Sequence, residues 1–450
     1  MPVKRSEPSL PLLLAVSAIV VAALAILPRF IGIYQTELLI YSMAFAIAAL
    51  GFNLLLGYTG LLSFGHSAYF GAGAYAVAFI AQRLHVQSME LLILGALLST
   101  VVIAALFGYV CVRHTRIFFG ILTLALSQVL WSLAYKFFWV TGGTDGMRVP
   151  RNAITLLGGL LDFRGAGAYQ RFIYSYYYYV LALFVIAVAI MWVIVHSPFG
   201  KALQAIRDNE VRAGFVGIRV RRYRWIAFVI SGLFAGLAGA LWVPLNGLTT
   251  PDVLYWPFSG EIVFMTVLGG FRTFFGPIIG AVAFNYLKVY AVASSQYWQL
   301  MLGCVLVLLV LVLPSGILGT FTQPPPWVRR VASGKGAFVG ASLAFLVALV
   351  ALFWVWTDRF GTAGDLSNVI GTVAVIAAIL AWFLLMALVY HRGGMIGHAW
   401  LGVLALLLPP IGAVVGFGGP ALLVLPVLGF LIAIGLGAVL PSRVPTEQGA

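Results

Sequence analysis

The sequence predicts an all-α, polytopic integral membrane protein, and three observations carry that reading. Of 450 residues, 62% are apolar and only 8% are charged, against about 25% charged in an ordinary soluble domain. The apolar residues fall into runs near the length, about 20 residues, that a membrane helix needs. The 26 basic residues outnumber the 12 acidic ones and sit mostly between those runs, as the cytoplasmic bias of Lys and Arg produces. So little charge leaves no surface for a soluble or secreted domain and no basic footprint for nucleic acid. Two cysteines, Cys111 and Cys304, in or beside apolar runs make no disulfide framework.

The chain begins with Lys4 and Arg5 ahead of an apolar run from Leu10 to Leu27. Ala22, Ala23 and Ala25 would suit a cleaved leader, but further spans follow at once, so the run reads as a retained helix starting in the cytoplasm. Ten core segments fall at 10–28, 38–56, 61–82, 90–112, 117–139, 173–196, 225–245, 258–270, 273–294 and 298–320. The eighth has 13 residues, short enough for a half helix or part of a broken pair with the ninth. Six crossings put 197–224 inside, where seven of the 26 basic residues lie. If 258–270 crosses, Arg329, Arg330 and Lys335 also fall inside, and that reading is preferred. The misfit is 140–172, placed outside despite Arg148, Arg151, Arg164 and Arg171; long loops obey the rule weakly. Gly142 to Gly146 reads there as a glycine-rich turn, and Tyr174 with Tyr176 to Tyr179 as an interfacial belt. Three prolines within Thr322–Trp327 divide the chain into a core, 1–322, a linker, 323–336, four further helices at 337–357, 367–390, 395–417 and 421–440 (the unit 337–442), and a polar tail, 443–450.

Three stretches carry chemistry. Gly57 to Tyr75 holds Gly57, Gly60, Gly65, Gly71 and Gly73, five glycines in 17 residues. Each costs a helix interior about 1 kcal/mol relative to Ala, so the stretch reads as a broken or closely packed segment. Ser63, His66, Ser67 and Tyr69 lie in it; polar groups at depth mark a pathway, or else a tight packing seam with its histidine satisfied by a carbonyl. Ser197 to Ile218 places Phe199, Ala202, Leu203, Ile206 and Ala213 near one helical face, with mixed charges elsewhere. That is a short amphipathic helix suited to a protein groove. Gly260 to Ala281 breaks at Gly269-Gly270 and Gly276-Pro277, and its Glu261 is either a pathway group or an acid at the membrane surface. No Gly-x-x-x-x-Gly-Lys-Ser/Thr loop, metal-binding cluster or catalytic constellation is visible.

Together these stretches resemble the LivM-type permeases of ABC importers for branched-chain amino acids, the HAAT family. The resemblance rests on Gly57–Tyr75, Thr141–Gly146, Ser197–Ile218 with Arg221–Phe228, Leu268–Ala281 and the ending Leu313–Gly319, and covers about residues 30–322. It implies that this chain forms half of a translocation pathway in the bacterial inner membrane, with both termini cytoplasmic. It also implies a homologous LivH-like permease, two cytoplasmic LivG/LivF-like ATPases that hold the ATP and Mg, a periplasmic or lipid-anchored binding protein, and membrane lipids around this chain. No cofactor, metal or catalytic residue is expected on this chain. The implied ATPase-coupling residues are Phe199, Gly200, Ala202, Leu203, Ala205, Ile206, Arg207, Asn209, Glu210, Ala213 and Gly214. Ser63, His66, Ser67, Tyr69 and Glu261 are the pathway candidates; Gly57, Gly60, Gly65, Gly71, Gly73, Gly269, Gly270 and Gly276 are the expected helix breaks. Branched-chain amino acids, urea or amides, and aromatic acids all stay open as solutes. Residues 323–450 depart from the family pattern. The rival is an ATP-independent secondary transporter, which needs intramembrane acids where only Glu261 clearly qualifies.

Overall fold

The computed structural model describes residues 18, 20–114, 116–149, 154–156, 168–294 and 315–322, with scattered positions between 299 and 310. The four expected C-terminal helices, residues 10–17 and 19 of the first span, Cys304, Arg151 and Arg164 lie outside the described residues. The described elements are helices apart from one two-stranded ribbon.

Helix α1, Ile33–Asn53, runs through the centre of the bundle. Ile40, Ala44, Ala46 to Ala49 and Phe52 are wholly buried, as expected of a helix apolar on every side. It continues as a π turn, Leu54–Thr59, and stops at Gly60, whose φ of 75° suits glycine. Residues 61–65 are not helical, and α2, His66–Arg83, starts inside the bundle. The expected break is therefore real but sits about five residues later than the apolar runs suggest. α3, Met89–Cys111, and α4, Arg116–Lys136, return and rise again. α5, Ala168–His196, leads to the segment expected to couple, α6, Pro198–Asp208, and α7, Glu210–Phe215. α8, Val220–Asn246, packs on α1, α2 and α3.

The seam between α2 and α8 is built by small residues. A β-carbon on Gly73 would strike the carbonyl of Gly236, and one on Gly239 the carbonyl of Phe70. Backbones approach this closely in membranes only where side chains are absent. Gly71 and Gly73 thus lie inside a continuous helix as contact points and do not break it, contrary to the expectation for those two.

After α8 the strands β1, Met147–Arg148, and β2, Leu248–Thr249, pair antiparallel, with Met147 opposite Thr249. They close the end of the bundle away from α6. The glycine-rich turn before β1 has φ of 73°, 54° and 68° at Gly142, Gly143 and Gly146. The chain then turns back inward: Pro251, Val253 and Leu254 are buried, and α9, Trp256–Gly269, begins within the bundle. At 14 residues α9 is about 21 Å long, so the partly buried lead 250–255 and α9 together make the crossing. Gly270, at φ 109°, ends it. α10, Gly276–Ser294, runs back against α9, with Gly269 of α9 meeting Gly276 and Gly280 of α10. α11, Gly316–Thr322, seats Gly316 on Gly270.

The tyrosine belt also reads differently in three dimensions. Tyr176 and Tyr177 are fully buried, and their hydroxyls donate to Leu241 O at 2.6 Å and Leu24 O at 2.7 Å. They tie α5 to α8 and to the helical stretch Val20–Arg29. Only Tyr178, 42% exposed, keeps an outer position among these three. A phenol with an internal acceptor gains nothing from the membrane surface.

Candidate coupling and translocation site

Two helices start within the bundle, and their first turns meet. The lead to α2 rises from the α6 end; the lead to α9 descends from the β1–β2 end. Ser67 N donates to Ser259 Oγ at 2.8 Å, Ser259 Oγ to Ser67 Oγ at 2.8 Å, and Ser67 Oγ to Leu254 O at 3.0 Å. Irregular backbone at membrane depth is tolerated only inside protein or beside water, and here hydroxyls satisfy it. At the preceding residue, His66 Nε2 lies 2.8 Å from Ser231 Oγ, which donates to Gly51 O at 2.6 Å, and His66 Nδ1 lies 3.2 Å from Ser63 Oγ. Ser63, His66 and Ser67 have no exposed surface, and Tyr69 has 1%, with its ring edge-on to His66 and Phe228. Four of the five pathway candidates thus come together as a filled, hydrogen-bonded seam joining α1, α2, α8 and α9.

Glu261 stands apart from them. Its two carboxylate oxygens accept from Lys288 Nζ at 2.6 and 2.8 Å, bridging α9 and α10. The pair is mostly screened, with side chains 17% and 30% exposed. Lys288 was not singled out in the sequence; an acid and a base 27 residues apart reveal nothing until α9 and α10 fold back on each other.

The segment expected to couple is two helices, not one. Ser197 caps α6, accepting from Gly200 N, and Pro198 opens it. Asn209 breaks the run at φ −158° and caps α7 by accepting from Arg212 N at 3.0 Å. The inward residues hold the segment to the bundle. Gly200, Leu203, Ile206 and Ala213 are buried, and Phe199 stacks on Tyr223 at 5.5 Å. Arg224 of α8, 7% exposed, donates twice to Glu210 at 2.8 Å. Ala202 and Asn209 are half-buried, and Ala205 and Gly214 face outward. The outermost side chains are Val211, Phe215 and Val216, at 68%, 87% and 82% exposure. These three were absent from the expected coupling set, although an apolar pair just ahead of Gly217 was a readable signal.

Arg207 joins this segment to the helix breaks. Its Nη1 donates to Gly57 O, and its side chain covers Gly60, where a β-carbon would lie 2.9 Å from Arg207 Cγ. Gly57 packs against the Phe271 carbonyl, and Asn53 Nδ2 donates to Thr273 O at 3.3 Å. Gly65, at the start of α2, is pressed against the Thr123 carbonyl of α4. The coupling helix, the end of α1 and the α9–α10 link therefore converge at one end of the bundle. Among the described residues no group of three or more His, Cys, Asp or Glu could hold a metal ion.

A family model described as branched-chain amino acid transport system / permease component matches residues 34–311. The Escherichia coli K12 high-affinity branched-chain amino acid transport system permease protein LivM is 27% identical over 300 residues, 63% of this chain and 69% of that protein. LivH of Salmonella typhimurium is 24% identical over 287 residues, 61% of this chain and 91% of its own length. A probable LivM of Methanocaldococcus jannaschii is 22% identical over 356 residues, 66% and 97% respectively. No solved structure matches the chain. The family match ends before residue 323.

Proposed function

The chain belongs to the branched-chain amino acid transport permease family, and on that premise we propose that it forms half of an importer pore whose gating force enters at α6–α7. It is a multi-pass permease component of an ABC transporter in the bacterial inner membrane, a transport subunit and not an enzyme. Relatives of both LivM and LivH type point to a system with two permeases. In our reading the second pore half is a LivH-like chain, and two separate cytoplasmic ATPases, holding ATP and Mg, seat on the exposed Val211–Val216 knob. A binding protein delivers solute at the opposite, β1–β2 end. Both termini are then cytoplasmic. The solute is a branched-chain amino acid or a related small polar molecule. We assign residues 1–322 to the permease core; residues 323–450 lie beyond the family match.

The observation that carries this reading is the Arg207 link. When the ATPases close on ATP, α6–α7 moves. Arg207 passes that movement to Gly57 and Gly60, and the Gly57–Phe271 contact carries it to the α9–α10 link. A glycine pivot at each place lets helices swing without rewinding. Ser63, His66, Ser67 and Tyr69 act from behind the pathway wall as positioning residues, keeping the starts of α2 and α9 together while their ends move. Glu261 with Lys288 keeps α9 and α10 moving as one. A gradient-driven carrier would need a protonatable acid at depth; Glu261, bound to Lys288, is poorly suited to that task.

The test uses Gly214→Arg and Phe215→Asp in the complex purified with its partners. A β-carbon on Gly214 meets nothing within 4 Å, so neither change disturbs this chain's own packing. Both should leave the chain in the membrane, release the two P-loop ATPases from it, and abolish ATP-driven uptake. Normal ATPase recovery and uptake in both variants would contradict the assignment.

A further inference from the structure

We infer that the outward face of α4 is a solute-contacting wall of the pathway, built for a small molecule with a carboxylate and an apolar body. The inference deepens the permease reading and rests on it for the word solute. α4 has two opposite faces. Phe119, Thr123, Ser127 and Ala134 are buried against the bundle. On the other side an open groove of ≈ 420 Å³ is lined by Ala125, Gln128, Val129, Ser132, Leu133 and Lys136. Those six residues form two parallel files. Gln128, Ser132 and Lys136 are four apart, and so are Ala125, Val129 and Leu133. Residues four apart on a helix stand one above another, about 6 Å apart along the axis. The groove thus has a polar rail beside an apolar rail.

Lipid does not explain the polar rail. The outward faces of other helices are what lipid requires: Leu91, Leu94, Leu98, Val102 and Leu106 on α3, and Ile186, Ile190 and Val193 on α5, all exposed and all apolar. On α4 an amide, a hydroxyl and an ammonium occupy the corresponding position. The Gln128 Nε2 is buried and has no hydrogen-bond partner among the described residues, and Lys136 has no ion pair among them. Uncompensated polar groups at membrane depth face a water-filled path or each other. The rail also lies beside the interrupted helix. Trp131, next to Ser132, sets its ring 5.0 Å from Tyr255, the residue before α9. Lys136 is at the β1–β2 end, where a carboxylate would arrive first. Ser132 would then take it inward while the apolar body follows Leu133, Val129 and Ala125.

The experiment labels single cysteines with a hydrophilic, membrane-impermeant maleimide, in a background with Cys111 and Cys304 replaced by Ser. The reconstituted complex is used, with uptake of radiolabelled L-leucine measured in parallel. Gln128→Cys and Ser132→Cys should label at least about tenfold faster than Leu98→Cys, because a thiol reacts as thiolate, which needs water. Millimolar L-leucine or benzoate should slow labelling at Ser132→Cys. Lys136→Ala should cut uptake about tenfold, the loss of one charge-assisted hydrogen bond, and Lys136→Arg should recover most of it. Labelling of Ser132→Cys no faster than Leu98→Cys in an uptake-competent complex would overturn the proposal. So would full protection in every nucleotide state, which would make the face a permanent subunit interface. Labelling needs no ATPase, so a wet groove in a complex without ATP-driven uptake would refute the permease mechanism and leave the wetted face standing.

Discussion

The interior seam around His66 and the outward rail of α4 are made of the same kinds of residue, yet they stand in opposite conditions. Ser63, His66, Ser67, Ser231 and Ser259 are wholly buried, and each has a partner within 3.2 Å. Gln128, Ser132 and Lys136 line open space, Ser132 and Lys136 as exposed side chains and Gln128 half-buried. The first set holds helices together; the second is free to meet something else. A polar residue in a membrane segment is thus classified by satisfaction and facing, not by type. Two consequences follow: damage to the seam should appear as lost stability, and damage to the rail as lost transport at unchanged stability.

The largest stability effect should come from Gly239→Val. Its added atoms meet the Phe70 carbonyl of α2, a backbone group that cannot rotate away. Overpacking costs about 1–3 kcal/mol where side chains can adjust, and here they cannot. Complex recovered in mild detergent should fall to a small fraction of wild type. If recovery stayed normal, the seam would not be the rigid element described.

A smaller loss is expected from His66→Leu. The change removes both ring contacts and leaves Ser63 Oγ short of one partner, while Ser231 keeps its bond to Gly51 O. About 1–3 kcal/mol is typical for such a buried orphan. A thermal melt of the detergent-solubilised complex, followed by size-exclusion chromatography, should show a midpoint lowered by several degrees. Ser132→Leu serves as the matched control, with no drop in midpoint. Equal drops in the two would erase the distinction between seam and rail.

Much of this was legible in the sequence. The break near Gly60, the break at Gly270, the capped start of α6 at Ser197-Pro198 and nearly every described span follow from glycine, proline and apolar run lengths. What was not legible has a common cause. Lipid and protein interior are both apolar, so a membrane helix shows little of the periodicity that reveals facing in a soluble one. Tyr176 and Tyr177 looked interfacial and are internal. Gln128, Ser132 and Lys136 were absorbed into an apolar run although they share a face. Glu261 was visible, but its partner Lys288 was not, because long-range pairing leaves no local mark. Asn209, between Asp208 and Glu210, looked like one more polar residue of a single helix and in fact ends α6 and caps α7.

The central claim is that force passes from the ATPase-facing knob to the helix breaks through Arg207. The most direct measurement is the number of solute molecules taken up per ATP hydrolysed in reconstituted complex carrying Arg207→Ala. Arg207 is outside the exposed Val211–Val216 knob, so the ATPases should still bind and hydrolyse ATP. The account predicts that hydrolysis continues while uptake per ATP falls at least about tenfold, equivalent to losing about 1.4 kcal/mol of coupling, with partial recovery in Arg207→Lys. An unchanged ratio in Arg207→Ala would contradict it and send the search for the coupling route to Arg224 and Glu210.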